Sequence, residues 1–280
     1  MNSPINSLCS TEWLAAHLDE VRVVDANWYM PDDPRNAEND YLAGHIPGAV
    51  YFDIDVIADQ ISDLPHMMPT PEQFARQVGA LGIGNDTMVV VYDHNGMLSS
   101  PRVWWMLRAM GHDKVMVLDG GLIKWKAEGR ALETGPITPA PTTFTAAPRP
   151  QIMRNFDDVM TIARDNSARM VDARSRTRFI GEEPEPRAGV RGGHMPGAAN
   201  VPWRTTVTDA GTMKSDDELR VLFSGAGVDV KAPIVTTCGS GISAAILMLA
   251  LERIGANQVA LYDGSWTEWG GRPEAPVDCP

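Results

Sequence analysis

PIVTTCGSGISAAILMLALERI, residues 233–254, decides how the chain folds. Its first five residues, Pro233 to Thr237, read as a short strand buried on both faces. From Ile242 to Ile254 the residues read as a helix, with Ile246, Leu247, Leu249 and Ala250 as its core stripe. The loop Cys238-Gly239-Ser240-Gly241-Ile242-Ser243 follows the strand and runs into that helix, whose regular part begins at Ala244 or just before. Downstream, Gln258 to Tyr262 reads as the next strand and Trp266 to Trp269 as a short helix. Strands alternating with helices imply a parallel sheet covered on both faces.

The same order stands earlier in the chain. Thr87 to Tyr92 is a β-branched run, followed by a helix over Pro101 to Met110, a strand over Lys114 to Leu118 and a helix over Leu122 to Glu128. Four landmarks tie the halves together. His45-Ile46-Pro47-Gly48-Ala49 returns as His194-Met195-Pro196-Gly197-Ala198, 149 residues on. Val23-Val24-Asp25-Ala26 returns as Met170-Val171-Asp172-Ala173. Asp119-Gly120-Gly121 matches Asp263-Gly264-Ser265, and Trp125 matches Trp269. Thr70-Pro71-Glu72-Gln73 and Ser215-Asp216-Asp217-Glu218 each read as a capping box before the middle helix of their copy. A repeat this long is a duplicated domain, not a solenoid. The expected organisation is therefore two tandem α/β domains, 1–134 and 151–280, each a parallel sheet flanked by helices. Residues 135–150 (GPITPAPTTFTAAPRP) read as an extended linker.

Composition sets the class of partner. The chain has 280 residues, 44% hydrophobic and 21% charged, with a net charge of −12. That is a globular protein with a sizeable core. The acidic balance argues against nucleic acid and membrane surfaces, which need a cationic footprint. The apolar run Ile242 to Leu251 is too short to span a bilayer. Met1 to Ser10 shows no leader pattern, and three Cys make no disulfide framework, so a cytoplasmic setting is expected. No metal or cofactor is expected.

In open α/β sheets, ligands bind beyond the carboxyl ends of strands. The loop at Cys238 is therefore the place for chemistry. Gly239 and Gly241 let the backbone curl until its N–H groups point inward as an anion nest. The following helix adds its positive end. Both favour a thiolate over a thiol without a neighbouring base. In the first half, the corresponding loop reads Asp93-His94-Asn95-Gly96-Met97-Leu98-Ser99 and has no thiol. That half cannot do cysteine chemistry. Cys9 and Cys279 lack a strand–loop–helix setting and read as structural.

From Asp172 to Arg191, five Arg (174, 176, 178, 187 and 191) face four acids, a local excess of one positive charge. The matching stretch of the first half, Asp25 to Gly44, has one Arg against five acids. A cationic segment in the Cys-bearing half of an anionic protein points to a small anionic substrate, since Arg grips carboxylates by two bonds. Glu182, Glu183 and Glu185 are also placed to neutralise some of these arginines. Two rival readings fail. A Cys-dependent phosphatase needs Arg six positions after Cys238, where Ala244 stands. A dinucleotide fold needs more chain than the 17 residues after Asp263.

Taken together, the tandem copies, H-[IM]-P-G-A in each, DGG/DGS before a Trp and CGSGISA in the second copy resemble the two-domain rhodanese superfamily. Within it, Cys238 to Ala244 is similar to the loop of the 3-mercaptopyruvate sulfurtransferases. Thiosulfate-using members instead tend to carry basic residues where this chain has Gly239 and Ser240. The resemblance implies transfer of the sulfur of 3-mercaptopyruvate through a persulfide on Cys238, with release of pyruvate. The acceptor it implies is cyanide or a thiol, such as thioredoxin or a small thiol. By the same resemblance, Arg178 and Arg187 hold the substrate, and the backbone of Gly239, Gly241, Ile242 and Ser243 lines its site. Ser240 and His45 become hydrogen-bonding or proton-handling neighbours, with an acid before His45 that matches Asp33 best and Asp32 or Asp40 otherwise. Against this, His45 recurs as His194 in both copies, which is what a fold role would also produce.

Overall fold

The structure, a computed structural model, describes residues 7–30 and 32–279. Most of the N-terminal stretch read for a leader therefore lies outside the described residues. No helix among them is long and apolar enough to cross a membrane. The chain divides into two compact units. Unit 1 takes the chain through Gln60, then Met68–Arg149 and Asp209–Met213, while unit 2 takes Ile61–Met67, Pro150–Thr208 and the chain from Lys214 onward.

Unit 1 runs β1 (Leu8–Cys9), α1 (Thr11–Ala16), β2 (Arg22–Asp25), α2 (Ala37–Ala43), β3 (Val50–Tyr51), α3 (Pro71–Ala80), β4 (Val89–Tyr92), α4 (Ser100–Ala109), β5 (Val115–Leu118) and α5 (Gly121–Ala127). Unit 2 repeats the order: β6 (Met153–Arg154), α6 (Phe156–Asp165), β7 (Arg169–Asp172), α7 (Arg176–Phe179), β8 (Ala199–Asn200), α8 (Asp216–Gly225), β9 (Ile234–Thr237), α9 (Ala244–Arg253), β10 (Val259–Tyr262) and α10 (Ser265–Gly271). The five-stranded sheets are ordered β1-β5-β4-β2-β3 and β6-β10-β9-β7-β8, and their strand pairs are parallel. The central strands β4 and β9 are buried along their whole length, as a strand covered on both faces must be. Helix α9 is buried from Ala244 to Leu251, which explains why its apolar pattern is nearly continuous rather than one-sided.

The two helix-start signals differ in how they close. Ser215 and Glu218 form the full reciprocal box, side chain to backbone both ways. At α3, Thr70 accepts from the Gln73 N–H, but the Gln73 side chain turns away to Ala58 O at 3.2 Å. The Pro/Thr/Ala segment read as a linker packs within unit 1. Phe144 inserts edge-on against Phe74, and the Thr142 N–H donates to Gly79 O at 2.9 Å. Periodicity could not show this, because the segment is held by backbone bonds, the Phe144 ring and scattered side-chain bonds such as those of Asn85 to Thr145 and of Arg149 to Asp113.

Candidate active site

Cys238 follows directly on β9, the middle strand of the unit 2 sheet, and is 2% exposed. Gly241 takes the left-handed conformation (φ +81°), and its N–H points at the Cys238 Sγ at 3.2 Å. The curled backbone thus places a donor on the sulfur, and α9 starts three residues further on. Ser240 and Ile242 are buried in the loop, and Ser243 is half-buried beside them.

The start of α10 pins the loop. Trp266 N–H donates to Cys238 O at 2.9 Å, and Thr267 donates to Gly239 O from its N–H at 2.9 Å and its hydroxyl at 2.6 Å. Cys238 N–H donates to the Ser265 hydroxyl at 3.3 Å, which itself donates to Tyr262 O at 2.9 Å. Ser265 sits at φ +50°, a conformation disfavoured for a residue with a side chain. Its counterpart Gly121 has φ +51°, and there a Cβ would lie 2.6 Å from Asp93 O. The DGG-to-DGS difference between the copies was the visible trace of this anchor. Ser265 and Thr267 were not recognised from the sequence as supporting the loop.

Unit 1 shows what such a loop holds. Asp93 stands where Cys238 stands in unit 2. Its carboxylate accepts four backbone N–H groups, from Asn95, Met97, Ser99 and Ser100, and the Ser100 hydroxyl, all at 2.8–3.0 Å. Gly96 at φ +69° makes the turn that Gly241 makes in unit 2. The thiol-free loop is an anion nest filled by its own side chain.

The arginine segment resolves into distinct jobs. Arg174 is buried and bonded to both oxygens of Asp172, to Glu185 Oε1 at 2.7 Å and to Gly193 O at 2.8 Å, over the Trp266 ring. Burial works against its charge, but the Asp172 and Glu185 carboxylates overcome that and keep it protonated. Arg191 is spent on the carbonyls of Trp269, Gly270, Arg272 and Ala275. Arg176 is exposed, and Arg187 lies half-buried on the loop that follows α7. Arg178 is brought against the Cys238 loop, where a Cβ on Gly239 would lie 3.0 Å from its Nη2.

The histidines are corrected in one respect. His45 Nδ1 meets Tyr41 O at 2.9 Å, its ring stacks on Tyr41 at 4.3 Å, and its buried Nε2 has no hydrogen-bond partner. Asp33 does not pair with it, because both Asp33 oxygens are taken by Arg35, which holds that carboxyl down at about 2. The alternative Asp40 is bonded to the Tyr29 hydroxyl. His194 repeats the arrangement, with Nδ1 on Phe179 O at 2.9 Å and its ring on Phe179. The two differ in that the buried His45 Nε2 has no hydrogen-bond partner, whereas His194 is only half-buried. His45 belongs to unit 1, whereas His66, buried and with φ +61°, belongs to unit 2 with Cys238.

Residues 10–128 and 156–272 each match the rhodanese-like domain family. The chain belongs to that family. A rhodanese-like chain from Escherichia coli strain K12, called 3-mercaptopyruvate sulfurtransferase, is 44% identical over 270 residues, covering 95% of this chain and 96% of its own. The human protein of that name is 41% identical over 278 residues, covering 96% and 94%. The crystal structure of SseA from Escherichia coli, described under the rhodanese fold of 3-mercaptopyruvate sulfotransferases, superposes with a TM-score of 0.86 at 42% identity. That match covers 93% of this rhodanese-like chain and 99% of SseA.

Proposed function

We infer that this rhodanese-like chain is an enzyme that takes the sulfur of 3-mercaptopyruvate onto Cys238 and passes it to a thiol or cyanide. The observation that carries the reading is a thiol on a curled loop with a backbone N–H on its sulfur and no cationic side chain in the loop itself. A thiosulfate dianion needs positive charge beside the thiolate, and Gly239 and Ser240 supply none. A keto acid with one negative charge needs only Arg178 and Arg187 at its far end. Full-length relatives that carry the 3-mercaptopyruvate name favour the same donor.

The Cys238 thiolate attacks the sulfur of the substrate thiol, forming an S–S bond as the C–S bond breaks. The electron pair leaves on pyruvate enolate. The new persulfide loses the proton that came with the substrate thiol, and the enolate carbon gains one, so the step is balanced as thiolate plus mercaptopyruvate to persulfide anion plus pyruvate. The Gly241 N–H, counterpart of the inward donors that Asp93 accepts in unit 1, holds the sulfur anion without reorganisation. An acceptor thiolate such as a small thiol or a thioredoxin then attacks the outer sulfur and restores Cys238. His66 is the imidazole we place in proton handling, since it is buried and belongs to the same compact unit as Cys238.

Comparing kcat/KM for 3-mercaptopyruvate and thiosulfate, with pyruvate detected and the Cys238 peptide weighed for one added sulfur, tests the reading. Mercaptopyruvate is expected to win, and equal values would sink the donor assignment. Cys238→Ser is expected to release no pyruvate. His66→Asn is expected to lower kcat, whereas His45→Asn is expected to act on stability.

A further inference from the structure

We propose that Glu185 is the positioning residue of the substrate clamp, gripping one edge of the Arg178 guanidinium so that the other edge faces the Gly239 backbone. This rests on the reading of Arg178 as a substrate-binding residue. Glu185 Oε1 accepts from Arg178 Nε at 3.3 Å, and Oε2 accepts from Nη2. Those two bonds use one side of the planar fork and leave the Nη1–Nη2 side open. That open side is the one toward the loop, since a Cβ on Gly239 would lie 3.0 Å from Nη2 and 3.8 Å from Nη1.

Glu185 is itself buried and held. Its side chain is 4% exposed, and Arg174 Nη1 donates to Oε1 at 2.7 Å. Arg174 cannot yield, being tied to both Asp172 oxygens and to Gly193 O and stacked 4.2 Å from the Trp266 ring centre. The result is a neutral quartet of two guanidiniums and two carboxylates. One flexible arginine is thereby oriented before substrate arrives, so less freedom is lost on binding. Gly239 completes the seat by having no side chain. Any side chain there presses on a guanidinium that Glu185 does not release, so the bare position keeps Arg178 in place as well as keeping charge off the loop.

A purely electrostatic role predicts the opposite outcome from positioning. Removing a carboxylate makes the site more positive and would tighten binding of an anion. Positioning requires that binding weaken. The experiment is steady-state kinetics with 3-mercaptopyruvate on the full chain, alongside labelling of Cys238 by iodoacetamide, which is neutral and needs no clamp. Glu185→Gln is expected to raise KM about tenfold with kcat and the labelling rate within about twofold. Gly239→Ala is expected to reproduce the rise in KM, and it decides the matter if Glu185→Gln does not fold. In an Arg178→Ala background, Glu185→Gln is expected to add less than about twofold. An unchanged or lower KM in a folded Glu185→Gln, or in Gly239→Ala, overturns the proposal while leaving the clamp. An Arg178→Ala enzyme with wild-type KM overturns the clamp reading and the proposal with it.

Discussion

Two of the three cysteines are buried, and their surroundings differ. Cys9, in β1, is pushed up to about 12 by burial, with the Asp119 charge adding to the effect. It is a protonated apolar filler in the unit 1 core. Cys238 has instead a backbone donor on its sulfur and a helix start just beyond. Iodoacetamide treatment of the folded protein is therefore expected to label Cys238 and the exposed Cys279 while sparing Cys9. Peptide mass analysis reads this directly, and Cys9 labelled as fast as Cys238 would contradict it. At this scale Cys238 was legible because strand, glycine loop and helix are contiguous in sequence. Arg178 and Arg174 were not separable, because what distinguishes them is a partner: Asp172 and Glu185 consume Arg174, and the missing side chain of Gly239 admits Arg178. His45 was not assignable from the motif, because a repeated motif carries the same information whether it serves the fold or the chemistry.

Between residue and molecule stands the strand–loop–helix element, which occurs twice with different fillings. In unit 1 the Asp93 carboxylate satisfies four inward N–H groups that would otherwise be buried without a partner. Asp93→Ala removes that acceptor, and an unsatisfied buried donor costs about 1–3 kcal/mol. The substitution is therefore expected to lower stability by about 3 kcal/mol or more, since several donors lose their acceptor together. Denaturant unfolding followed by tryptophan fluorescence measures it, because Trp104 and Trp105 of α4 are buried in that unit. A variant as stable as wild type would mean the carboxylate does not hold the loop. The element's type was legible from β-branched runs and helix-start residues. The Ser265 anchor was not, because φ +50° on a serine leaves no compositional trace beyond one Gly-to-Ser difference.

For the whole molecule, duplication was readable and the exchange of segments was not. Ile61–Met67 is counted with the second half and Asp209–Met213 with the first, where the Met213 N–H donates to Asp119 at 2.8 Å. Such short stretches carry no periodic signal, so sequence reading assigns them to the half in which they occur. Titration behaviour also belongs to this scale, because it sums over both units. Burial raises Cys9 to about 12 and also raises Tyr51 and Tyr92 in unit 1 and Tyr262 in unit 2, with nearby carboxylates adding. A group whose folded value is raised binds its proton more tightly in the folded state. Its stabilising contribution is complete below the unfolded value and is lost as pH climbs through the folded one. Cys9 starts from 9.0 and the tyrosines from 10.0, so stability is expected to hold steady near neutrality and to fall once pH passes about 9. Unit 1 carries three of these four groups and unit 2 one, so the loss is expected to fall first on unit 1. Thermal unfolding across that range measures it. A melting temperature unchanged up to about pH 11 would show that these buried protons do not stabilise the fold.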